Sequence, residues 1–286
     1  MDRNAGIAER DESLRSLELP GARVAYYERG AGTPLILVHG MFGDHLDWAP
    51  VLEPLSECHR VISIDLPGFG DSSKSIQEYT PEFFVGVMNA FLCALDLKGA
   101  ILVGNSFGGL LSSLLIAVHP ERLSGLVLVS SAGMREYSQQ EQALASQHFS
   151  ESNLLLMRPE YVEPLFAMNF AQVTEARAAY LERQRGKLAH QDYKVYAHVL
   201  AECAVMAFAH PVVPLLSEVK LPILLLWGDR DPVFPVELAQ AALPFLLHAR
   251  LTVIEGASHM PQMDQPLAFV KELAEFISQC GASQGV

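Results

Sequence analysis

Positive charge is scarce in this sequence. Lys and Arg number 20 against 33 Asp and Glu over 286 residues, a formal net charge of −13. Neutralising a phosphate backbone needs clustered cations, so this balance argues against a nucleic-acid binder. It argues against docking on anionic lipid for the same reason. Charges of both signs together make up only 19% of the residues and hydrophobic residues half. That excludes a disordered chain and leaves material for a large core. Cysteine is sparse too: Cys58, Cys93, Cys203 and Cys280 form no C-x-x-C pair. Zinc or redox spacing is therefore missing, and the four are expected to be buried small hydrophobes. The first ten residues lack an apolar stretch, so no signal peptide is expected and a cytoplasmic location is the default. Even the most apolar segment, Gly99–His119, is broken by Gly104-Asn105-Ser106 and Gly108-Gly109. It divides into a strand, a turn and a helix better than it spans a membrane. Internal repeats, low-complexity linkers and long charge blocks are also missing.

What is present is a rhythm. Short runs rich in Val, Ile and Leu recur at Pro34–Val38, Arg60–Ile64, Ala100–Val103, Gly125–Val129, Pro222–Trp227 and Arg250–Ile254. Continuous rather than alternating apolarity predicts strands covered on both faces, as in a parallel sheet. Helix-length segments lie between them, such as Thr80–Leu95, opened by a cap residue and a proline, and Ser106–Val118. Leu14–Leu19 and Val24–Glu28, around Pro20-Gly21, predict an antiparallel hairpin at the sheet edge. The alternation predicts a doubly wound α/β fold. From Gly133 to Ser217 the strand runs stop and aromatic and Met residues take helical spacing. We therefore expect an α/β core of residues 1–132 and 218–286, with residues 133–217 inserted as a helical lid.

The chemistry concentrates at Val103-Gly104-Asn105-Ser106-Phe107-Gly108-Gly109. This is G-x-S-x-G immediately after an apolar strand and before an apolar helix, the setting of a nucleophile elbow. So sharp a turn leaves no room for side chains beside the serine, hence the glycines. Ser106 then sits at a helix N-terminus, where backbone N–H groups can receive an oxyanion. A serine nucleophile needs a base, and the base an orienting carboxylate. Among ten histidines, His259 lies just after the last predicted strand and opens at the same sheet edge as Ser106. His39 reads as a turn residue near the oxyanion site, and His119 as a helix C-cap. His148, His190, His198 and His210 fall in the lid, where surface or core roles are expected. For the carboxylate, Asp229 and Asp231 both follow a strand; Asp231, deeper in the loop, is favoured, with Asp229 a turn residue or a partner for Arg230. Asp65 precedes the serine and is expected to stabilise its own loop.

The order Ser106, Asp231, His259 is that of α/β-hydrolases. From about Leu17 to Phe276 the chain resembles an α/β-hydrolase-fold protein with a helical cap. His39-Gly40-Met41-Phe42-Gly43 is similar to the family's oxyanion loop, and Asp65–Ser72 to its loop after the next strand. The resemblance implies an oxyanion hole from the backbone N–H groups of Met41 and Phe107. It implies no cofactor and no metal, and a small-molecule substrate as partner. No nucleic-acid or membrane partner is expected, and a homo-oligomer is left open.

Serine rather than aspartate at the elbow sets the chain apart from the family's dehalogenases and epoxide hydrolases, and favours acyl transfer to water. Gly-Asn-Ser-Phe-Gly-Gly also resembles the elbow of hydrolases that cleave carbon–carbon bonds in ring-fission products. Those usually carry a Ser/Gly-Gly-Pro-Gly oxyanion loop and a Trp after the histidine, where this chain has Met41-Phe42-Gly43-Asp44 and Met260. A carboxylic ester hydrolase is therefore the expectation. Carbon–carbon hydrolysis comes next, then lactonase, amidase or thioesterase activity, and last a non-enzymatic small-molecule receptor. The lid side chains Phe149, Met157, Phe166, Met168, Phe170 and Phe208 are candidates for an acyl pocket, but the buried stripe of a cap helix is the expectation for each. Arg177, Arg183 and Arg185 could meet an anionic substrate, but solvated surface positions are the expectation for each.

Overall fold

The computed structural model describes residues 14–282. The first ten residues, on which the reading of no signal peptide rests, lie outside them. Eight strands form one sheet: β1 (Leu14–Leu19), β2 (Ala22–Arg29), β3 (Thr33–Val38), β4 (His59–Ile64), β5 (Ala100–Asn105), β6 (Leu123–Val129), β7 (Ile223–Gly228) and β8 (Ala249–Ile254). Their order is β1-β2-β4-β3-β5-β6-β7-β8. β1 and β2 form the edge hairpin, β2 pairs antiparallel with β4, and every later pairing is parallel. The doubly wound reading is borne out. β5, β6 and β7 are buried at every position, as continuous apolar runs demand.

Helices are α1 (Ala49–Ser56), α2 (Pro81–Ala94), α3 (Phe107–Val118), α4 (Gln139–His148), α5 (Glu151–Leu154), α6 (Val162–Phe166), α7 (Glu175–Ala189), α8 (Tyr193–Ala209), α9 (Val213–Leu216), α10 (Val236–Ala242), α11 (Pro261–Asp264) and α12 (Pro266–Ala282). α2 begins where Thr80 Oγ1 accepts the Phe83 N–H at 3.2 Å and Pro81 occupies the first turn. Both faces of the sheet are covered. Phe84, Phe91, Leu110 and Leu111 of α2 and α3 pack on one face; Val51 and Leu55 of α1 with Phe269, Leu273 and Phe276 of α12 pack on the other. The apolar segment around Ser106 is β5, a turn and α3; no described helix is long and apolar enough to cross a membrane.

Between β6 and β7 the described chain forms helices without strands. They have a small core of their own, Val162, Phe166, Phe170, Tyr180 and Leu181, which also takes in Met260 and Met263 from beyond β8. One expectation fails. Cys203 and Cys280 are buried, but Cys58 and Cys93 are exposed. Cys58 falls in the turn into β4 and Cys93 on the outer face of the last turn of α2, positions set by turn and helix geometry rather than by the hydrophobicity of a thiol.

Candidate active site

The turn after β5 is strained at one residue. Ser106 has φ 54° and ψ −116°, in a region that L-residues rarely occupy. The surrounding backbone forces it. A Cβ on Gly104 would lie 2.4 Å from the Gly108 carbonyl oxygen, and one on Gly108 would lie 2.3 Å from that of Val38. The two glycines thus let α3 start directly against β3 and β5. Ser106 Oγ makes no hydrogen bond among the described residues, although the residue is only 9% exposed.

Asp231 and His259 meet. Asp231 Oδ2 lies 2.9 Å from His259 Nδ1, while its Oδ1 accepts the Val233 and Phe234 N–H groups at 2.9 and 3.0 Å. With Nδ1 engaged, Nε2 is the ring nitrogen left for the cavity, where it makes no hydrogen bond to a described residue. The Phe234 ring packs edge-on against the imidazole at 5.6 Å. The loop carrying His259 is pinned at almost every residue. Asp229 Oδ1 accepts the N–H groups of Gly256 and Ala257 at 2.7 and 3.2 Å, and Asp264 Oδ2 that of Ser258 at 2.8 Å. Asn105 Nδ2 donates to the carbonyls of Val129 and His259, each at 3.1 Å. Asp229 is thus a loop anchor, 3.8 Å from Arg230. Asn105 and Asp264 had no sequence signal as anchors, though Asn105 stands beside the elbow serine.

The loop after β3 approaches from the other side. A Cβ on Gly40 would lie 3.0 Å from Ser106 Cβ. The N–H groups of Met41 and Phe107 donate to no other group among the described residues. Three side chains of α7 grip this loop. Gln184 donates to the Phe42 carbonyl at 3.0 Å, and Lys187 to those of Phe42 and Gly43 at 2.6 and 3.2 Å. Lys187 lies 2.8 Å from Asp44, and Arg183 bridges Asp44 and Asp47 at 3.3 and 2.6 Å. Burial and the adjacent Asp44 carboxylate push Asp47 up to about 6, the Arg183 contact notwithstanding. Burial opposes ionisation of Asp44 as well, but Lys187 and Arg183 hold its carboxyl below the usual range. Arg183 is therefore no surface residue; two buried carboxylates draw it inward, and its side chain is 20% exposed. Arg177, 18% exposed and 2.5 Å from Glu163, departs from the expectation in the same way.

Ser106 and His259 line one cavity of about 270 Å³, shared with Met41, Phe42, Asp47 and Tyr180. Ser106, Met41 and Phe107 also line a second cavity of about 430 Å³ with Arg135, Tyr137, Phe208 and Phe234. Phe149, Phe166 and Met168 line the first cavity and Phe208 the second, so the pocket alternative holds for these four over the stripe that was expected; His148 lines the first as well. Helical spacing marks an apolar face without saying whether core or cavity lies opposite it. Phe170 is buried in the helical core, as expected.

One group among the described residues has metal-ligand character: His45, Asp65 and Asp71, with ligand atoms within 4.8 Å of one another. Asp65 is spent on its own loop, accepting the His45 and Asp71 N–H groups at 2.7 Å each and the His45 ring at 3.1 Å. His39, fully buried, accepts the Leu66 N–H at 3.1 Å and contacts the Gly40 carbonyl at 2.7 Å, a turn role beside the Met41 loop.

A family model described as alpha/beta hydrolase fold matches residues 33–266. The dihydrolipoyllysine-residue acetyltransferase component of the acetoin cleaving system of Pseudomonas putida is 29% identical over 268 residues, covering 89% of this chain and 68% of that protein. The 2-hydroxy-6-oxo-6-(2'-aminophenyl)hexa-2,4-dienoic acid hydrolase of Metapseudomonas resinovorans is 26% identical over 281 residues, 96% of this chain and 94% of its own. Among solved structures, a membrane phospholipase A described as a bacterial virulence factor matches with a TM-score of 0.80 and 27% identity, over 94% of this chain and 86% of that one.

Proposed function

The chain belongs to the α/β-hydrolase-fold family and is a hydrolase, and within that family we propose that it hydrolyses an uncharged carboxylic ester through an acyl-enzyme on Ser106. The observation that carries this reading is the strained serine opening onto the same cavity as a histidine whose far nitrogen is held by a buried carboxylate. Ser106 Oγ attacks the ester carbonyl while His259 Nε2 takes its proton. Asp231 keeps the imidazole in the required tautomer and stabilises the imidazolium. The Met41 and Phe107 N–H groups receive the oxyanion. His259 then protonates the departing alkoxide, and a water molecule, activated by the same imidazole, releases the carboxylic acid. The helical segment between β6 and β7, within residues 133–217, serves as the lid over a core formed by the described parts of residues 1–132 and 218–286, which are 14–132 and 218–282. No cofactor or metal enters these steps.

Charge at the cavity walls favours a neutral ester over a dienoate. The walls of the cavity shared by Ser106 and His259 carry no Lys or Arg and do carry Asp47. The second cavity has only Arg135, already paired with Glu141 at 2.7 Å and stacked over Tyr137 at 3.8 Å. A substrate carboxylate would find no unpaired Lys or Arg among the described residues of either cavity. The second reading is carbon–carbon hydrolysis of a ring-fission product, supported by the dienoic acid hydrolase that aligns over nearly the whole chain. Purified protein and its Ser106→Ala variant should be assayed side by side on a p-nitrophenyl ester and on a 2-hydroxy-6-oxo-dienoate. Ester turnover lost in the variant supports the proposal; faster turnover of the dienoate by the wild type selects the second reading. A fluorophosphonate should label Ser106 once.

A further inference from the structure

The cavity shared by Ser106 and His259 has a neighbour on its far side. Phe42, His148, Phe149 and Leu165 line it, and the same four residues line a further groove of about 510 Å³ that runs out between α5 and α6. Leu154, Leu156, Met157, Tyr161 and Pro164 complete its apolar lining, and no Asp, Glu, Lys or Arg is among the described residues that line it. Its outer lip is unusually greasy for a surface, with Leu156 68% and Tyr161 53% exposed. Phe42 and Phe149, with ring centroids 6.5 Å apart, stand on the wall that cavity and groove share.

We infer that this groove holds the alkyl chain of the substrate's alcohol, so that the natural ester carries a long, unbranched alcohol portion. This rests on the Ser106 reading above. The side is chosen by proton delivery: the imidazole must protonate the departing oxygen, so the leaving alcohol lies on the His259 side of the serine. His259 lines the cavity that shares its wall with the groove, whereas the cavity lined by Phe107 lacks it and takes the acyl group. A chain lying past Phe42 and Phe149 covers apolar surface otherwise wet, in a groove whose only described polar lining is His148 and Asn153.

The test uses two ester series followed by acid release. In one, acetates carry alcohols from methyl to dodecyl; in the other, methyl esters carry acyl chains of the same lengths. In the wild type, kcat/KM should climb with alcohol length by up to about fourfold per methylene once the chain enters the groove. Leu156→Asp should flatten that climb and leave the acyl-length series unmoved, and Leu156→Met should restore it. Tyr161→Asp, at a second exposed position, should repeat the result. A climb in the acyl series that Leu156→Asp abolishes would overturn the assignment of sides. Insensitivity of both series to both variants would overturn the groove itself. Ser106-dependent hydrolysis of methyl acetate keeps these outcomes separate from the parent reading, which fails if no ester is turned over or if the dienoate is turned over faster.

Discussion

A serine held at φ 54° stores backbone strain that the fold has to carry, on the order of 1–3 kcal/mol for such conformations. Ser106→Ala keeps that strain and loses only the hydroxyl, so it should fold normally. Ser106→Gly relieves it and should be more stable than Ser106→Ala by about 1 kcal/mol in urea unfolding, with neither variant hydrolysing ester. Equal stability of the two would mean that the turn is relaxed. The two aspartates after β7 separate just as cleanly. Asp231→Asn presents an amide to His259 Nδ1 and favours the wrong tautomer, and kcat should fall by about 10⁴. Asp229→Asn still offers an oxygen to the Gly256 and Ala257 N–H groups, and should cost far less. A reversed ranking in steady-state kinetics would transfer the orienting role to Asp229. Ser106, Asp231 and His259 were legible because each stands directly after an apolar run, where chain order alone predicts convergence at one edge. Asn105 and Asp264 were not: their work is to bind backbone groups of the His259 loop, far away in sequence, and nothing local announces it.

Among the elements, α7 ties the helical segment to the loop after β3 by polar contacts. Its Arg183 and Lys187 face two buried carboxylates on the loop after β3, and this arrangement has a pH signature. Asp47 sits at about 6 in the folded protein against an ordinary 3.8, so the native state binds its proton more tightly than the unfolded chain. Its contribution to stability is therefore fully present below about pH 4, falls as pH rises from 4 to 6, and is constant above. Relative to Asp47→Asn, the wild type should lose up to about 3 kcal/mol of unfolding free energy between pH 4 and pH 7. Denaturant titrations of both proteins at several pH values would show it, and a difference independent of pH would refute it. Strands were the easiest elements to read, because a fully covered strand has an apolar run for its whole length. Arg183 was misread because a cation in a helix has the same local sequence whether water or a buried carboxylate faces it.

Over the whole molecule the thiols offer a simple check on burial. Cys58 and Cys93 are exposed; burial pushes the Cys280 thiol up to about 11 and that of Cys203 well above its ordinary value. A disulfide reagent at pH 8 should modify two cysteines quickly in the native protein and all four in denaturant. Four fast thiols in the native state would mean that the packing around α8 or α12 is looser than described. Composition led to the opposite expectation for Cys58 and Cys93 because an average tendency to be buried carries no information about one turn or one helix face. The alternation of strand runs and helices, by contrast, is a property of the whole chain, and it carried the architecture. The grip of α7 on residues 42–47 also bears on engineering. By chain order that loop is part of the sheet's connections; by bonding it is half helical segment. Grafting another relative's helices between β6 and β7 would strip Arg183, Gln184 and Lys187 from the loop and leave Asp44 and Asp47 buried without cations. Such orphaned charges cost about 3–5 kcal/mol when a partner is removed, so a working transplant must carry the donor's Met41–Trp48 equivalent along with its helices.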